Sequence, residues 1–316
     1  MRQILKLSKK CFLSLLVISI IFFILNSKFS KNLIDDIVNR RNYKEFQFNG
    51  TKFKFLLSPK YEEASRFLMI NLVIVRPEDV YRRMLIRSTW ANATNKNGTT
   101  SVFVCGINED KTVNDLLIYE SFHFNDIVQV DFMDTYFNLT LKSIIAFKWI
   151  AMHFTSDQVQ YVLKVDDDVV VDLENLLKMA NDKFIQTRSA FYCFEVSDVM
   201  VNREKHHKFY LSKQEYEHEK FPIYCSGSAY VLTFGLLKKI ASLQSYPNYL
   251  KFEDVYITGI LKNHLKATSY RLNQHYVTHS IRFKNNFGEI ADLNRTISFF
   301  LNVHHLDLFF GIYLSI

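Results

Sequence analysis

Hydrophobic segments of two kinds alternate along the chain from about residue 67 onward. Short, continuous apolar runs such as 67–75, 101–106 and 126–130 are typical of buried strands. Between them, longer segments such as 113–121 and 139–153 place apolar residues at helical spacing. This alternation predicts an α/β domain with a mostly parallel sheet flanked by helices.

An acidic triplet, Asp166-Asp167-Asp168, separates two of the apolar runs, 161–165 and 169–171. Ligands of parallel sheets bind beyond the carboxyl ends of the strands, where this triplet is predicted to lie. Alternate side chains of an extended segment face the same way, so Asp166 and Asp168 are predicted to converge on one hard divalent ion while Asp167 points elsewhere. A solvated acidic turn is the alternative interpretation.

Two arginines stand out on a helix that we expect to begin at Pro77. Arg83 and Arg87 are four residues apart and therefore share one helix face. Their guanidinium groups suit bidentate binding of a phosphate or a carboxylate. The alternative is that they only cover the helix surface.

Further candidates follow in the carboxyl-terminal half. Glu253 and Asp254 lie at a predicted helix start, where capping needs only one carboxylate. Gly227, in a turn of small residues, either lets a ligand approach the backbone or permits a bend. His304 and His305 would face opposite sides of a strand, so one of them could complete a metal site or be a buried core histidine. The charged stretch 202–220 is predicted to be a mobile excursion.

The amino terminus predicts membrane insertion. A basic segment, 1–10, precedes an uncharged apolar run, 11–25, with no small-residue cleavage site after it. We therefore expect an uncleaved signal anchor rather than a cleaved signal peptide, with a cytoplasmic tail, a stem over 26–65 and a luminal domain over 66–316. The short span favours the Golgi or endoplasmic reticulum. Five N-x-Ser/Thr sequons support a luminal domain: Asn49, Asn92, Asn97, Asn138 and Asn294.

Charge and cysteine content refine this picture. The formal charge is +7 over 316 residues, but basic residues are interspersed with acidic ones beyond the first ten, which argues against a nucleic-acid partner. Of the 4 cysteines, Cys11 lies in the predicted anchor. An oxidising lumen would permit one disulfide among Cys105, Cys193 and Cys225, and we predict Cys193–Cys225. Three buried thiols are the alternative.

Several short blocks in a fixed order carry a family resemblance between about residues 67 and 305. They are Arg83-x-x-Ile86-Arg87-x-Thr89-Trp90, the segment from Asp126 to Lys142, Lys164-x-Asp166-Asp167-Asp168, Tyr224-Cys225-Ser226-Gly227, Glu253-Asp254-Val255-Tyr256 and Val303-His304. In these blocks the chain resembles the inverting β-1,3-galactosyltransferase / β-1,3-N-acetylglucosaminyltransferase family, type II Golgi glycosyltransferases with a GT-A fold.

The resemblance implies roles for individual residues. Asp166 and Asp168 would hold Mn²⁺ against the diphosphate of a UDP-sugar, with His304 as a further ligand and His305 as the alternative. Asp254 would be the general base.

The remaining predicted residues would act around this centre. Glu253 would orient the donor or the base. The donor would also contact Asp167 and Gly227, and its leaving diphosphate would be stabilised by basic groups, for which the candidates are Arg83, Arg87 and Lys164.

The resemblance also implies a reaction, the transfer of galactose from UDP-galactose in β-1,3 linkage to a glycan of a glycoprotein or glycolipid at the Golgi membrane. Use of UDP-N-acetylglucosamine is the nearest alternative. An alternative from another class is a catalytically silent chaperone or scaffold. The presence of both the acidic triplet and the Glu253-Asp254 pair argues against that alternative.

Overall fold

The computed structural model describes residues 44–92, 98–182, 184, 189–278, 299–301 and 303. The predicted tail (1–10) and anchor (11–25) lie outside these residues. Among the residues described, no helix has both the length and the apolar character needed to cross a membrane.

A nine-stranded sheet forms the centre of the molecule, in the order β1-β2-β5-β4-β3-β6-β9-β8-β10. Its strands are β1 (Glu45–Phe48), β2 (Thr51–Leu57), β3 (Phe67–Ile74), β4 (Thr99–Ile107), β5 (Ile127–Met133), β6 (Val159–Asp166), β8 (Ala190–Val196), β9 (Tyr224–Thr233) and β10 (Thr268–Arg271). A smaller sheet contains β7 (Val170–Val171), β11 (Tyr276–Thr278) and β12 (Phe299–Leu301), in the order β11-β12-β7.

The large sheet is mixed, with a parallel centre. Strands β5, β4, β3 and β6 pair in parallel, whereas β2 and β9 are antiparallel to both of their neighbours. The other seven strands therefore run in one direction. The predicted α/β class with a mostly parallel sheet agrees with the common direction of these seven strands. Antiparallel pairs occur towards both edges.

Helices cover both faces of the sheet. They are α1 (Val80–Ser88), α2 (Lys111–Phe124), α3 (Leu139–His153), α4 (Leu173–Asp182), α5 (Phe234–Ala241) and α6 (Glu253–Val255), which continues through a π-helical turn (Tyr256–Leu261) into α7 (Lys262–His264). Residues of α1, α2 and α4 join one buried apolar cluster, and residues of α3 and α5 join the other. Alternation along β6 separates the clusters, since Tyr161, Leu163 and Val165 face the first and Val162 faces the second.

The sequence prediction for the stem is wrong where the structure describes it. Strands β1 and β2 form a hairpin within 26–65 and extend the large sheet through the pairing of β2 with β5. Phe48 and Phe55 are buried in the core. The physical reason is a turn at Asn49-Gly50, where both residues have positive φ, between strands with alternating phenylalanines. The folded body therefore begins well before residue 66.

Other predicted elements agree with the structure to within a few residues. Helix α3 has the predicted bounds, while α1 begins at Val80 rather than at Pro77. The Cys193–Cys225 disulfide is confirmed, and Cys105 is a buried free thiol.

Candidate active site

Two adjoining cavities open at the carboxyl ends of the parallel strands. The first has a volume of about 670 Å³ and includes Glu253, Asp254 and Gly227 in its lining. The second, of about 640 Å³, is lined by all three aspartates of the acidic triplet. Asp166 and Tyr136 line both cavities. One carboxylate at the end of β6 therefore lies between two binding spaces.

The acidic triplet is a turn rather than an extended segment. Strand β6 ends at Asp166, and the amide of Val169 donates a hydrogen bond to the carbonyl of Asp166 at 3.3 Å. The prediction assumed the alternating side chains of an extended segment, and a turn does not alternate its side chains as a strand does. All three aspartates line the second cavity.

Crowding of carboxylates perturbs the acidic turn. Burial, followed by the charges of Asp79, Asp168 and Asp166, raises the pKa of Asp167 to about 6. Burial also raises the pKa of Asp166, against the opposing charge of Lys164. Such a concentration of hard oxygen donors fits a divalent cation, which would relieve the repulsion.

The structure describes two of the three predicted ligands of such a cation, Asp166 and Asp168. Among the residues that the structure describes, no three His, Cys, Asp or Glu side chains come together as a metal site. His304 and His305 lie outside those residues. Asp166 and Asp168 are thus two oxygen donors that fit Mn²⁺, and the predicted nitrogen ligand stays a prediction.

Lys164 joins the acidic turn to the carboxylates of α6. Its side chain is fully buried, and its Nζ donates to Asp166 Oδ1 at 2.6 Å and to the carbonyl of Gly227 at 2.5 Å. Glu253 Oε2 lies 3.6 Å from the same nitrogen, and Glu253 Oε1 accepts a hydrogen bond from Tyr230 Oη at 2.6 Å. Burial lowers the pKa of Lys164, but the charges of Asp166 and Glu253 outweigh it, so Lys164 remains an ammonium group. It therefore orients two carboxylates at once.

Asp254 lies at the first turn of α6, where the first cavity meets β9. Its Oδ1 accepts a hydrogen bond from the amide of Val255 at 2.8 Å. A Cβ atom at Gly227 would lie 3.2 Å from Asp254 Cβ and 3.4 Å from its Oδ2, so the glycine allows this close approach. Burial raises the pKa of Asp254, despite opposing hydrogen bonds and Lys164. A carboxylate with a raised pKa beside a cavity is suited to accept a proton.

Arg83 and Arg87 lie elsewhere, in a buried ion network between α1 and α2. Both donate to Glu120, at 2.7 Å from Arg83 Nη2 and 2.6 Å from Arg87 Nη1, and Arg87 also binds Asp126. Neither arginine lines either cavity. The shared helix face is confirmed, but the geometry gives no support to a role in binding a diphosphate, and that role stays a prediction.

The cavity wall contains residues that the sequence did not single out. The segment 197–223, between β8 and β9, contributes Met200, Lys208 and Phe209 to the first cavity. Arg203 holds this segment together by donating to the carbonyls of Leu211, Tyr216 and His218. The segment predicted as a mobile excursion is therefore internally bonded and forms one wall of the site. The composition of the segment did not predict this wall, because the contacts that form it exist only in the folded structure.

Comparisons with known proteins agree with this geometry. Residues 81–273 match the family model described as Galactosyltransferase, which includes α1, the acidic turn and the Glu253-Asp254 pair. The match covers more than half of the chain, and the protein belongs to this galactosyltransferase family.

Individual relatives give the same family. The chain is 38% identical over 206 residues to UDP-GalNAc:beta-1,3-N-acetylgalactosaminyltransferase 1 of Mus musculus, which covers 64% of this chain and 61% of the relative. It is 31% identical over 216 residues to Beta-1,3-galactosyltransferase 2 of Homo sapiens, which covers 66% of this chain and 50% of the relative. The alignments thus span about half to three fifths of these relatives.

A solved structure shows a remote likeness. The galactosyltransferase LgtC in complex with donor and acceptor sugar analogs has 10% sequence identity and a TM-score of 0.44, and the match covers 78% of this chain and 96% of that one.

Proposed function

We propose that the protein is an inverting hexosyltransferase of GT-A type that moves a sugar from a UDP-sugar donor, in β-1,3 linkage, to a glycan acceptor. The observation that carries this proposal is the pair of cavities meeting at Asp166. The second cavity, with the acidic turn, would take the donor diphosphate. The first cavity, with Asp254, would take the acceptor sugar.

Asp254 is the proposed general base. It accepts the proton of an acceptor hydroxyl while that oxygen attacks the anomeric carbon of the donor. The bond from the anomeric carbon to the UDP oxygen breaks on the opposite face, and UDP leaves with the electron pair, which inverts the configuration. The raised pKa of Asp254 supports this role, since a carboxylate with a higher pKa is a stronger base.

Glu253, Lys164 and Tyr230 are the proposed positioning residues. They form a buried chain from Tyr230 through Glu253 and Lys164 to Asp166. Because each member is held by another, the base and the acidic turn keep a fixed relative position. Asp167 lines the second cavity and would lie against the donor. The sequence prediction places Gly227 at the donor as well, but Gly227 lines the first cavity, so on this assignment it would lie against the acceptor sugar.

Mn²⁺, held by Asp166, Asp168 and His304, would supply charge neutralisation for the leaving diphosphate. This assignment rests on the oxygen donors of the acidic turn and on the family resemblance for His304.

We propose UDP-galactose as the donor, and UDP-N-acetylglucosamine as the alternative. The 38% identity to an N-acetylgalactosaminyltransferase adds UDP-GalNAc to the donors that need testing. The proposed acceptors are glycans of glycoproteins or glycolipids. The proposed location is the Golgi membrane, with the anchor at 11–25 and a luminal site.

The test is transfer by the full chain, with Mn²⁺ present, from each of these UDP-sugars to simple glycoside acceptors. Transfer should depend on one donor, and Asp254→Asn should lower kcat by about 10²–10⁴-fold. Asp157→Asn, at an exposed aspartate in the turn before β6, is the matched control and should leave kcat unchanged. Equal rates for Asp254→Asn and the control would refute the assignment of the base. Binding of a glycan or a client protein without transfer from any donor would favour the silent scaffold.

A further inference from the structure

Aromatic and lysine side chains beside the first cavity form a closed ring of contacts. The consecutive contacts are Tyr136 with Phe137 (ring centroids 5.8 Å apart), Phe137 with Lys251 Nζ (5.6 Å), Lys251 Nζ with Phe252 (5.6 Å), Phe252 with Phe209 (5.9 Å), Phe209 with Lys208 Nζ (5.3 Å) and Lys208 Nζ with Tyr136 (4.6 Å). We call these six side chains the aromatic–lysine ring. All except Phe137 line the cavity.

Three members of the ring are unusually exposed for large apolar side chains. The exposed fractions are 44% for Tyr136, 58% for Phe137 and 47% for Phe209. A group of exposed aromatics bordered by charged residues at a cavity mouth is typical of a binding surface. The proposed catalytic residues do not account for it, because none of them is a member of the ring.

The ring is held in place before any ligand binds. Phe209 lies on the segment bonded by Arg203, and its amide donates to His207 Nδ1 at 3.1 Å. Phe252 is 7% exposed and anchors the other side directly before Glu253. Side chains that are already held by such contacts lose less entropy when a ligand binds.

The chemistry of the ring suits a saccharide. The face of an aromatic ring is electronegative, and the C–H face of a pyranose is a complementary apolar partner. An ammonium group offers three donors and no acceptor, which suits sugar hydroxyl oxygens. Lys208 has no carboxylate partner among the described residues, and its Nζ lies over the rings of Tyr136 and Phe209 instead.

The size of the cavity leaves room for more than the reacting sugar. Its volume of about 670 Å³ lies in the range of ~300–1,000 Å³ that holds ligands larger than a single sugar ring. A single sugar ring beside Asp254 would leave part of this volume for a second unit.

We propose that the aromatic–lysine ring binds the second sugar of the acceptor, the unit to which the reacting sugar is attached. The substrate class is then an oligosaccharide of at least two units, with specificity for the second unit set by Phe209, Tyr136 and Lys208. This inference rests on the proposed function, since it assigns the acceptor to the first cavity.

The test compares acceptors that differ by one sugar, using the full chain and the active donor. The probes are methyl β-galactoside against methyl β-lactoside, and methyl N-acetyl-β-glucosaminide against methyl β-chitobioside. The methyl group avoids an aromatic aglycone that would itself stack on the ring. For the pair whose terminal sugar is accepted, the disaccharide should have a kcat/KM at least about tenfold higher, which corresponds to ~1.4 kcal/mol.

Variants assign that preference to the ring. Phe209→Ala should lower the ratio of kcat/KM for the disaccharide over the monosaccharide by about tenfold, mainly through the KM of the disaccharide, whereas Phe209→Trp should retain the ratio. The matched control is Phe122→Ala, which removes a 68% exposed phenylalanine of α2 that lines neither cavity, and the ratio should not change.

Three outcomes would overturn the inference, and they are distinguishable. Transfer with no disaccharide preference overturns the subsite and leaves the proposed function standing. A preference that Phe209→Ala does not alter, or a loss of the same size for both acceptors, overturns the role of the ring. Absence of transfer from every donor to every acceptor overturns the proposed function and the subsite together.

Discussion

Replacing Glu120 by glutamine removes a negative charge that two buried guanidinium groups share. Arg83 is 1% exposed, so water cannot take the place of the lost carboxylate. Loss of one partner from a buried ion pair costs about 3–5 kcal/mol. Asp126 binds Arg87 at 2.7 Å independently of Glu120. Because the substitution leaves this partner in place, we expect the lower end of the range, ~3 kcal/mol.

The loss is measurable by thermal unfolding of the full chain. For a domain of this size, each kcal/mol lowers the melting temperature by about 2–4 °C, so Glu120→Gln should lower it by about 6–12 °C. The effect should also depend on pH. Burial raises the pKa of Glu120, but the hydrogen bonds and charges of Arg83 and Arg87 outweigh it, and the net pKa lies below its ordinary value. The stabilisation is therefore complete above the unfolded-state pKa and is lost as the pH falls through the folded-state pKa, where the two proteins should converge.

The matched control is Glu45→Gln, which breaks an exposed pair with Lys54 at 3.4 Å. That change should cost at most ~1 kcal/mol. A melting temperature for Glu120→Gln as close to the unchanged protein as that of the control would refute the structural role of the network. If the KM of the donor changed together with the stability, that result would support the predicted role of Arg83 and Arg87 in donor binding.

Three further predictions concern the site and its support. The kcat should rise as the pH increases through the raised pKa of Asp254, because the base acts when it is deprotonated. A kcat that does not change with pH from the carboxyl range up to neutrality would contradict this. Gly227→Ala should lower kcat by about tenfold with little change in melting temperature, since the new Cβ displaces Asp254 by a few tenths of an ångström. An unchanged kcat would show that the close contact between Gly227 and Asp254 is not critical. Replacing Cys193 and Cys225 by alanine should destabilise the fold by about 3–4 kcal/mol, as expected for a loop of 32 residues, and a melting temperature equal to that of Cys105→Ala would contradict it.

The sequence predicted the central α/β pattern well because strands β3 to β6 and helix α3 carry strong, local hydrophobic periodicity. It missed the hairpin of β1 and β2, although Asn49-Gly50 between alternating phenylalanines is a strong hairpin signal. It placed the acidic triplet correctly at a strand end and assumed an extended backbone there, which the turn contradicts.

Contacts between segments that are distant in the chain could not be predicted from the sequence. Lys164 and Glu253 are separated by 89 positions and meet only because β6 pairs with β9, beside α6. In the sequence, Arg83 and Arg87 fit a phosphate-binding site as well as a structural ion pair. Only the structure shows that their guanidinium groups donate to Glu120 on α2. The aromatic–lysine ring joins three segments of the chain, and no periodicity links them.

The segment 197–223 adds no strand to either sheet, yet it forms a wall of the first cavity. Its sequence can therefore diverge without disturbing the strands that hold the acidic turn, provided that Arg203 and the buried side chain of Leu211 keep it attached. Under the proposed function, this separation of scaffold from wall would let the acceptor preference change during evolution while the acidic turn and Asp254 stay in place. On the same proposal, 197–223 is the segment to exchange between relatives in order to change the glycan acceptor.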